Sequence, residues 1–259
     1  MTSKNANLNA TLGSTLDSLP GGLSVAVLDF LGSLCPITTG HIQCLELARA
    51  ALTGEVRPLN VPGEGSQLQF GEVLATINVN GDFHVRSKLK SKGEASLSCA
   101  ERQHLCELAT ADVPWIRADG CSSDKWIKHL HKKHPHLSFI RYYVNGADDV
   151  VKYRKWQQCG PDKRFVTIGR PGDTQKVLEA VLESKVPHEY FVLTPEHSDI
   201  SSSAAREALQ TGAREAAASM LHRDVLTWLQ EHGPYQPRGA RTAAEPRSPA
   251  VVKVTEGKP

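Results

Sequence analysis

From Leu23 to Tyr235 the chain alternates short β-type runs with helix-length stretches. Ser24 to Phe30 is an apolar run that predicts a first strand, and from His41 onward Ile42, Leu45, Ala48 and Leu52 recur at the spacing of one buried helical face. Leu59 to Gln69, marked by Pro62, Gly63 and Gly65, reads as a loop. Glu72 to Val79, with Val73, Ile77 and Val79, reads as an alternating strand. Ser98 to Thr110 predicts a helix with Ser98 as N-cap and Leu105, Cys106, Leu108 and Ala109 on its packed side. Trp115 to Asp119 predicts a short strand in which Trp115 belongs to the core, and Ser122 to Lys133 a helix stopped by Pro135. Phe139 to Val144, Phe165 to Gly169 and Tyr190 to Leu193 are further strands. Gln175 to Ser184 is a helix, and Arg214 to His232 one closing helix.

Strands that alternate with helices predict an α/β fold, a doubly wound parallel sheet covered on both faces. Ligands on such sheets lie beyond the carboxyl ends of the strands. Met1 to Gly22 lacks an apolar period and reads as a mobile lead-in, and Gln236 to Pro259, rich in Pro, Arg and Ala, as a disordered tail. Residues 23–235 are then one domain.

Composition removes several function classes. A net charge of +2 gives no case for a nucleic-acid partner, and no stretch approaches the ~18 apolar residues of a membrane span. Cys35, Cys44, Cys99, Cys106, Cys121 and Cys159 contain no C-x-x-C pair, which argues against structural zinc and for reduced thiols in an intracellular compartment, cytoplasmic or nuclear. The start of the chain does not read as a secretory signal. His129, His131, His134 and His136 invite a metal reading, but Lys128, Lys132 and Lys133 among them would repel a cation, so no protein metal site is expected.

The chemistry concentrates at two places. In Gly32-Ser33-Leu34-Cys35-Pro36-Ile37-Thr38-Thr39-Gly40-His41 a strand feeds a tight turn and then a helix, an arrangement that aims backbone N–H groups at an anion. Gly32 lets the backbone approach a ligand closely. Thr38-x-Gly40-His41 puts a hydroxyl and an imidazole in the same mouth. In Asp199-Ile200-Ser201-Ser202-Ser203-Ala204-Ala205-Arg206 a run of hydroxyls opens a helix, with Arg206 one turn beyond Ser203 on the same side. Arg86, Lys88, Lys90 and Lys92, ending at Gly93, read either as a solvated charged loop or as a flexible cationic flap over phosphates.

These stretches resemble the signatures of nicotinamide/nicotinate mononucleotide adenylyltransferases, a branch of the Rossmann-like nucleotidyltransferases with a (His/Thr)-x-Gly-His motif. The first motif keeps Gly32, Ser33, Pro36, Ile37, Thr38 and His41 and departs at Leu34 (Phe in the family) and Cys35 (Asn). The second resembles the family's Ile-Ser-Ser-Thr-x-x-Arg. Asn145-Gly146-Ala147-Asp148 resembles its Cys-Gly-Ala-Asp at a strand end, and Arg170-Pro171-Gly172 its Arg-x-Gly. Where the family has a Trp two residues after the Asp matched by Asp119, this chain has Cys121.

The resemblance implies transfer of the adenylyl group of ATP to a pyridine mononucleotide, forming a dinucleotide (NAD or its deamido form) and pyrophosphate. It implies that His41 and Thr38 bind the α/β-phosphates, that Arg206, with Ser202 and Ser203, holds the β/γ-phosphates, and that Gly32, Ser33, Gly40, Gly146 and Asp148 shape the nucleotide cleft. Lys90 or Lys92 takes the place of the family's flap lysines, and Trp156 that of a Trp on the nicotinamide ring. Mg²⁺ rides on the ATP phosphates. Two alternatives stay open: a related nucleotidyltransferase with another phosphate acceptor, and a nucleotide-binding homologue without turnover. Amidated and acidic acceptors are not separated, and a homo-oligomer is left open.

Overall fold

The structure, a computed structural model, describes residues 13–61, 68–197 and 200–235. Among them, β1 (Ser24–Gly32), β2 (Glu72–Val79), β3 (Ile116–Arg117), β4 (Ser138–Gly146), β5 (Arg164–Gly169) and β6 (Phe191–Glu196) form one parallel sheet in the order β3-β2-β1-β4-β5-β6. This is the expected doubly wound, Rossmann-like arrangement. Along β1 the side chains alternate between layers. Ala26 and Leu28 join the core under α2 (Thr39–Thr53), α4 (Cys99–Ala109), α8 (Ser202–Thr211), α9 (Arg214–Met220) and α10 (Arg223–His232). Val25 and Val27 face α5 (Ser123–Lys133) and the helical turn α1, residues 13–17. A third cluster fills the space between β5, β6, α6 (Ala147–Tyr153) and α7 (Thr174–Glu183).

Local chemistry explains most boundaries. Ser98 caps α4 in a reciprocal box: its Oγ accepts the Glu101 N–H (3.2 Å) and its own N–H donates to Glu101 Oε2 (2.7 Å). Gly54 closes α2 at φ 86°, a conformation that only glycine adopts without steric cost. The apolar side of α2 is buried through Cys44, Leu45, Ala48, Ala51 and Leu52, and truncating one such leucine typically costs about 2–5 kcal/mol.

The structure corrects five expectations. The mobile lead-in ends before Gly22: residues 13–17 are helical, and Leu16 is 1% exposed among Val25, Val27, Leu74 and Trp126. β2 does not alternate, because a strand inside a parallel sheet is covered on both faces; Val73 through Ile77 are all buried. The basic stretch is not a loop but a helix, α3 (Asp82–Lys90), seated by Val85 and Leu89. The closing helix is two, broken at Leu221, whose extended backbone leads to His222 as the N-cap of α10. β6 runs three residues beyond Leu193, to Glu196. The expected disordered tail, residues 236–259, lies outside the described residues.

The strand ladders end at different heights. β1 and β4 are paired only as far as Asp29↔Tyr143. Yet β1 stays paired to β2 as far as Gly32↔Val79, and β4 to β5 as far as Gly146↔Ile168. The two halves of the sheet therefore part above Asp29 and Tyr143, where the winding reverses, and open the crevice that ligands of such sheets occupy.

Candidate active site

Gly32 ends β1 at the rim of this crevice. The chain then folds back so tightly that a Cβ on residue 32 would sit 3.1 Å from the Leu34 side chain. Leu34 itself holds φ 43° while buried, a conformation that costs a bulky residue roughly 1–3 kcal/mol and persists only where its surroundings impose it. Arg102 of α4 holds the neighbouring backbone at Ser33. It is 0% exposed, and its guanidinium donates to the carbonyls of Ser33 (2.9 Å), Asn80 (2.7 Å) and Leu97 (3.2 Å) and to Asp82 Oδ1 (3.1 Å). A buried guanidinium is tolerated only with such a full set of acceptors. It ties the ends of β1 and β2 to the starts of α3 and α4. Sequence reasoning passed over it, because an Arg within an amphipathic helix reads as solvated.

Thr38 and His41 form the start of α2. The Thr38 N–H donates to His41 Nδ1 (3.0 Å), and Thr38 Oγ1 lies 2.7 Å from the same nitrogen. His41 thus fills the place that Glu or Gln holds in a capping box. A nitrogen that accepts an N–H carries no proton, so the neutral ring keeps its proton on Nε2. Burial, aided by the positive charge of Arg170, lowers the imidazole pKa to about 4. At neutral pH His41 is an uncharged donor, held against Phe30 with ring centroids 6.0 Å apart. An uncharged ring cannot neutralise developing charge as the sequence reading expected; what it has to offer is a directed N–H.

The second motif docks onto the first. A Cβ on Gly40 would meet the Ile200 carbonyl oxygen at 2.7 Å, so only glycine lets the start of α2 lie against residue 200. Ser202 Oγ donates to the Pro36 carbonyl (2.8 Å), and Ser201 caps α8 by accepting the Ala204 N–H (3.3 Å). Ser33, Cys35, Lys88, Leu89, Lys92, Ser201, Ser202, Ser203 and Arg206 line a cavity of about 170 Å³ at the α8 N-terminus. Hydroxyls, ammonium groups and a helix N-terminus together suit an anion.

Arg206 is 3% exposed and already partnered: Nε donates to Glu94 Oε2 (2.6 Å), Nη1 to the Cys35 carbonyl (2.8 Å) and Nη2 to Ser203 Oγ (3.1 Å). Glu94 therefore holds a carboxylate where an anionic ligand would meet this guanidinium. Cys35, which replaces the family's Asn, accepts the Leu97 N–H at its Sγ (3.3 Å) and contacts the Tyr235 hydroxyl (3.2 Å).

Other predicted residues are distributed around the crevice. Lys92 lines the anion cavity; Lys90 is exposed and does not, while Lys88, left out of the sequence-based set, does. Gly146 ends β4 as the N-cap of α6; a Cβ there would collide with Asp148 Oδ1 and lie 3.6 Å from Arg170 Nε. Asp148 is exposed in the first turn of α6. Arg170, at the end of β5, bears electrostatically on His41, Cys44 and His197, so it links the Gly146 side of the crevice to the His41 side. Its signal in the sequence was the Arg-x-Gly after a strand. Trp156 is half-buried on the cluster of Ala147, Val150 and Phe165, a packing position, and Cys121 is half-buried beside Leu16 and Trp126. Among the described residues no three His, Cys, Asp or Glu side chains gather as a metal group; His134 is buried and paired with Asp17 at 2.8 Å. Searched against protein families and against curated proteins, the chain matches none.

Proposed function

We propose that this protein transfers the adenylyl group of ATP to the phosphate of a pyridine mononucleotide, releasing pyrophosphate. The observation that carries the reading is the docking of the two hydroxyl- and glycine-bearing motifs: Gly40 against Ile200, and Ser202 on Pro36, around one cationic cavity beside a split sheet. In this reading the ATP triphosphate lies along the α2 and α8 N-termini. Ser202, Ser203, Lys88 and Lys92 hold the leaving pyrophosphate, and Nε2–H of His41 donates to the α-phosphoryl oxygen as charge builds in the transition state. Arg206 braces the cavity and meets a phosphate when Glu94 yields. Gly146 and Asp148 shape the nucleoside side of the crevice.

The acceptor phosphate displaces pyrophosphate directly, so the protein needs no nucleophile of its own; positioning and charge stabilisation do the work. Mg²⁺ arrives with the phosphates, whose charge it offsets. A nucleotide-binding homologue without turnover is the second reading, motivated by the Glu94 carboxylate on Arg206. Release of pyrophosphate and formation of dinucleotide from ATP, Mg²⁺ and a pyridine mononucleotide test the first reading; ATP binding with no product supports the second.

A further inference from the structure

The face of the crevice opposite His41 carries a charged group that the adenylyl-transfer reading does not use. Asp29 is the last β1 residue paired with β4, so its side chain stands at the floor of the crevice. Side chains alternate along a strand: Phe30 turns toward His41, while Asp29 turns toward the start of α5. There Ser123, itself buried, donates to Asp29 Oδ2 at 2.5 Å. Among the described residues no donor meets Oδ1. Arg141 of β4 donates to Asp124 Oδ1 (2.5 Å) and Ser123 Oγ (3.3 Å), and its guanidinium lies 4.8 Å from the centre of the Tyr143 ring. Two residues beyond Asp29 on the same face, Leu31 is 58% exposed where β1 has lost its β4 neighbour.

The triphosphate mouth lies on the α2 and α8 side, which leaves the α5 side to the acceptor. That side offers an apolar surface at Leu31, an aromatic edge at Tyr143 and a half-buried carboxylate acceptor at Asp29. The charges bearing on Asp29 are Arg141 and Asp124, so the corner holds two carboxylates against one guanidinium. A planar base with an uncharged N–H donor, such as a carboxamide, completes Asp29 Oδ1. A base bearing a carboxylate meets net negative charge and leaves that oxygen unpaired.

The geometry points to Asp29 as a specificity-determining residue that selects the amidated over the acidic pyridine mononucleotide. The inference rests on the adenylyl-transfer reading and adds the substrate class to it. The test compares kcat/KM for the two mononucleotides at fixed ATP, in the wild type and in Asp29→Asn, with binding of each measured by calorimetry. A hydrogen bond to a charged acceptor corresponds to a preference of about 10- to 100-fold for the amidated substrate. Asp29→Asn, which keeps shape and removes charge, is expected to shrink that ratio about tenfold or more with the ATP KM unchanged. Leu31→Ser, at an exposed site, is expected to raise the KM of the acceptor alone. A wild-type preference for the acidic substrate, an unchanged ratio in Asp29→Asn, or an unchanged acceptor KM in Leu31→Ser overturns this inference and leaves adenylyl transfer standing. Failure of both mononucleotides to bind or react overturns the adenylyl-transfer reading, and this inference with it.

Discussion

The two nitrogens of His41 differ: Nδ1 caps α2, and the proton of the neutral ring stays on Nε2. The folded ring titrates near 4, against 6.5 when unperturbed. Between those values the unfolded chain binds more protons than the native one, so stability is full above pH 6.5 and falls as pH drops toward 4. The loss assignable to this group is about 2–3 kcal/mol. His41→Gln, which can still complete the capping box, is expected to flatten that part of the stability profile, measured by urea unfolding across the window. A slope unchanged in the variant would mean that His41 is not held neutral. Glu94 lends itself to a second residue-level test. If its carboxylate competes with phosphate for Arg206, Glu94→Gln tightens ATP binding by roughly 3- to 10-fold, a change of about 1 kcal/mol. Weaker binding would make Glu94 part of the frame rather than a competitor. His41, Ser202, Ser203 and Arg206 were legible in the sequence because hydroxyls, an imidazole and an Arg cluster at helix starts. Arg102 and Asp29 were not: their surroundings come from chain segments as distant as Ser33 from Arg102 and Ser123 from Asp29.

At the scale of elements, α3 converts an ambiguous run of cations into a directed one. Side chains four apart share a side of a helical path, whereas one two positions away points about 200° round. Lys88 and Lys92 accordingly reach the anion cavity, Lys92 just past the end of α3, and Lys90 does not. Lys88→Ala and Lys92→Ala are each expected to raise the ATP KM by about 5- to 10-fold, with Lys90→Ala neutral, as a charge-assisted contact of about 1 kcal/mol implies. Equal effects at all three positions in steady-state kinetics would point to bulk charge rather than to α3 geometry. α3 was hard to read because only Val85 and Leu89 anchor it, too few to establish a helical period. The break between α9 and α10 was hidden for a related reason. Apolar residues continue through Met220 and Leu221, while the interruption comes from the His222 cap, whose ring nitrogen accepts the Asp224 N–H (3.3 Å).

For the whole molecule, the order of strands and helices was readable because each strand run is separated from the next by a helix-length stretch, which leaves a parallel sheet as the simplest arrangement. The crevice was not readable, since it depends on where the β1–β4 ladder stops, and ladder length leaves no mark in the hydrophobic pattern. That opening sets the two motif-bearing helix starts, α2 and α8, on one side and Asp29 with the start of α5 on the other. In the proposed reading the first is the ATP side and the second the acceptor side. The most direct test is a turnover experiment on the full chain with ATP, Mg²⁺ and the amidated pyridine mononucleotide, following pyrophosphate and dinucleotide together. Adenylyl transfer yields both in equal amounts, and folded His41→Ala is expected to lose about 10²–10³-fold in kcat, as for removal of a donor aimed at transition-state charge. ATP binding without product, or turnover in His41→Ala equal to that of the wild type, would contradict the proposal.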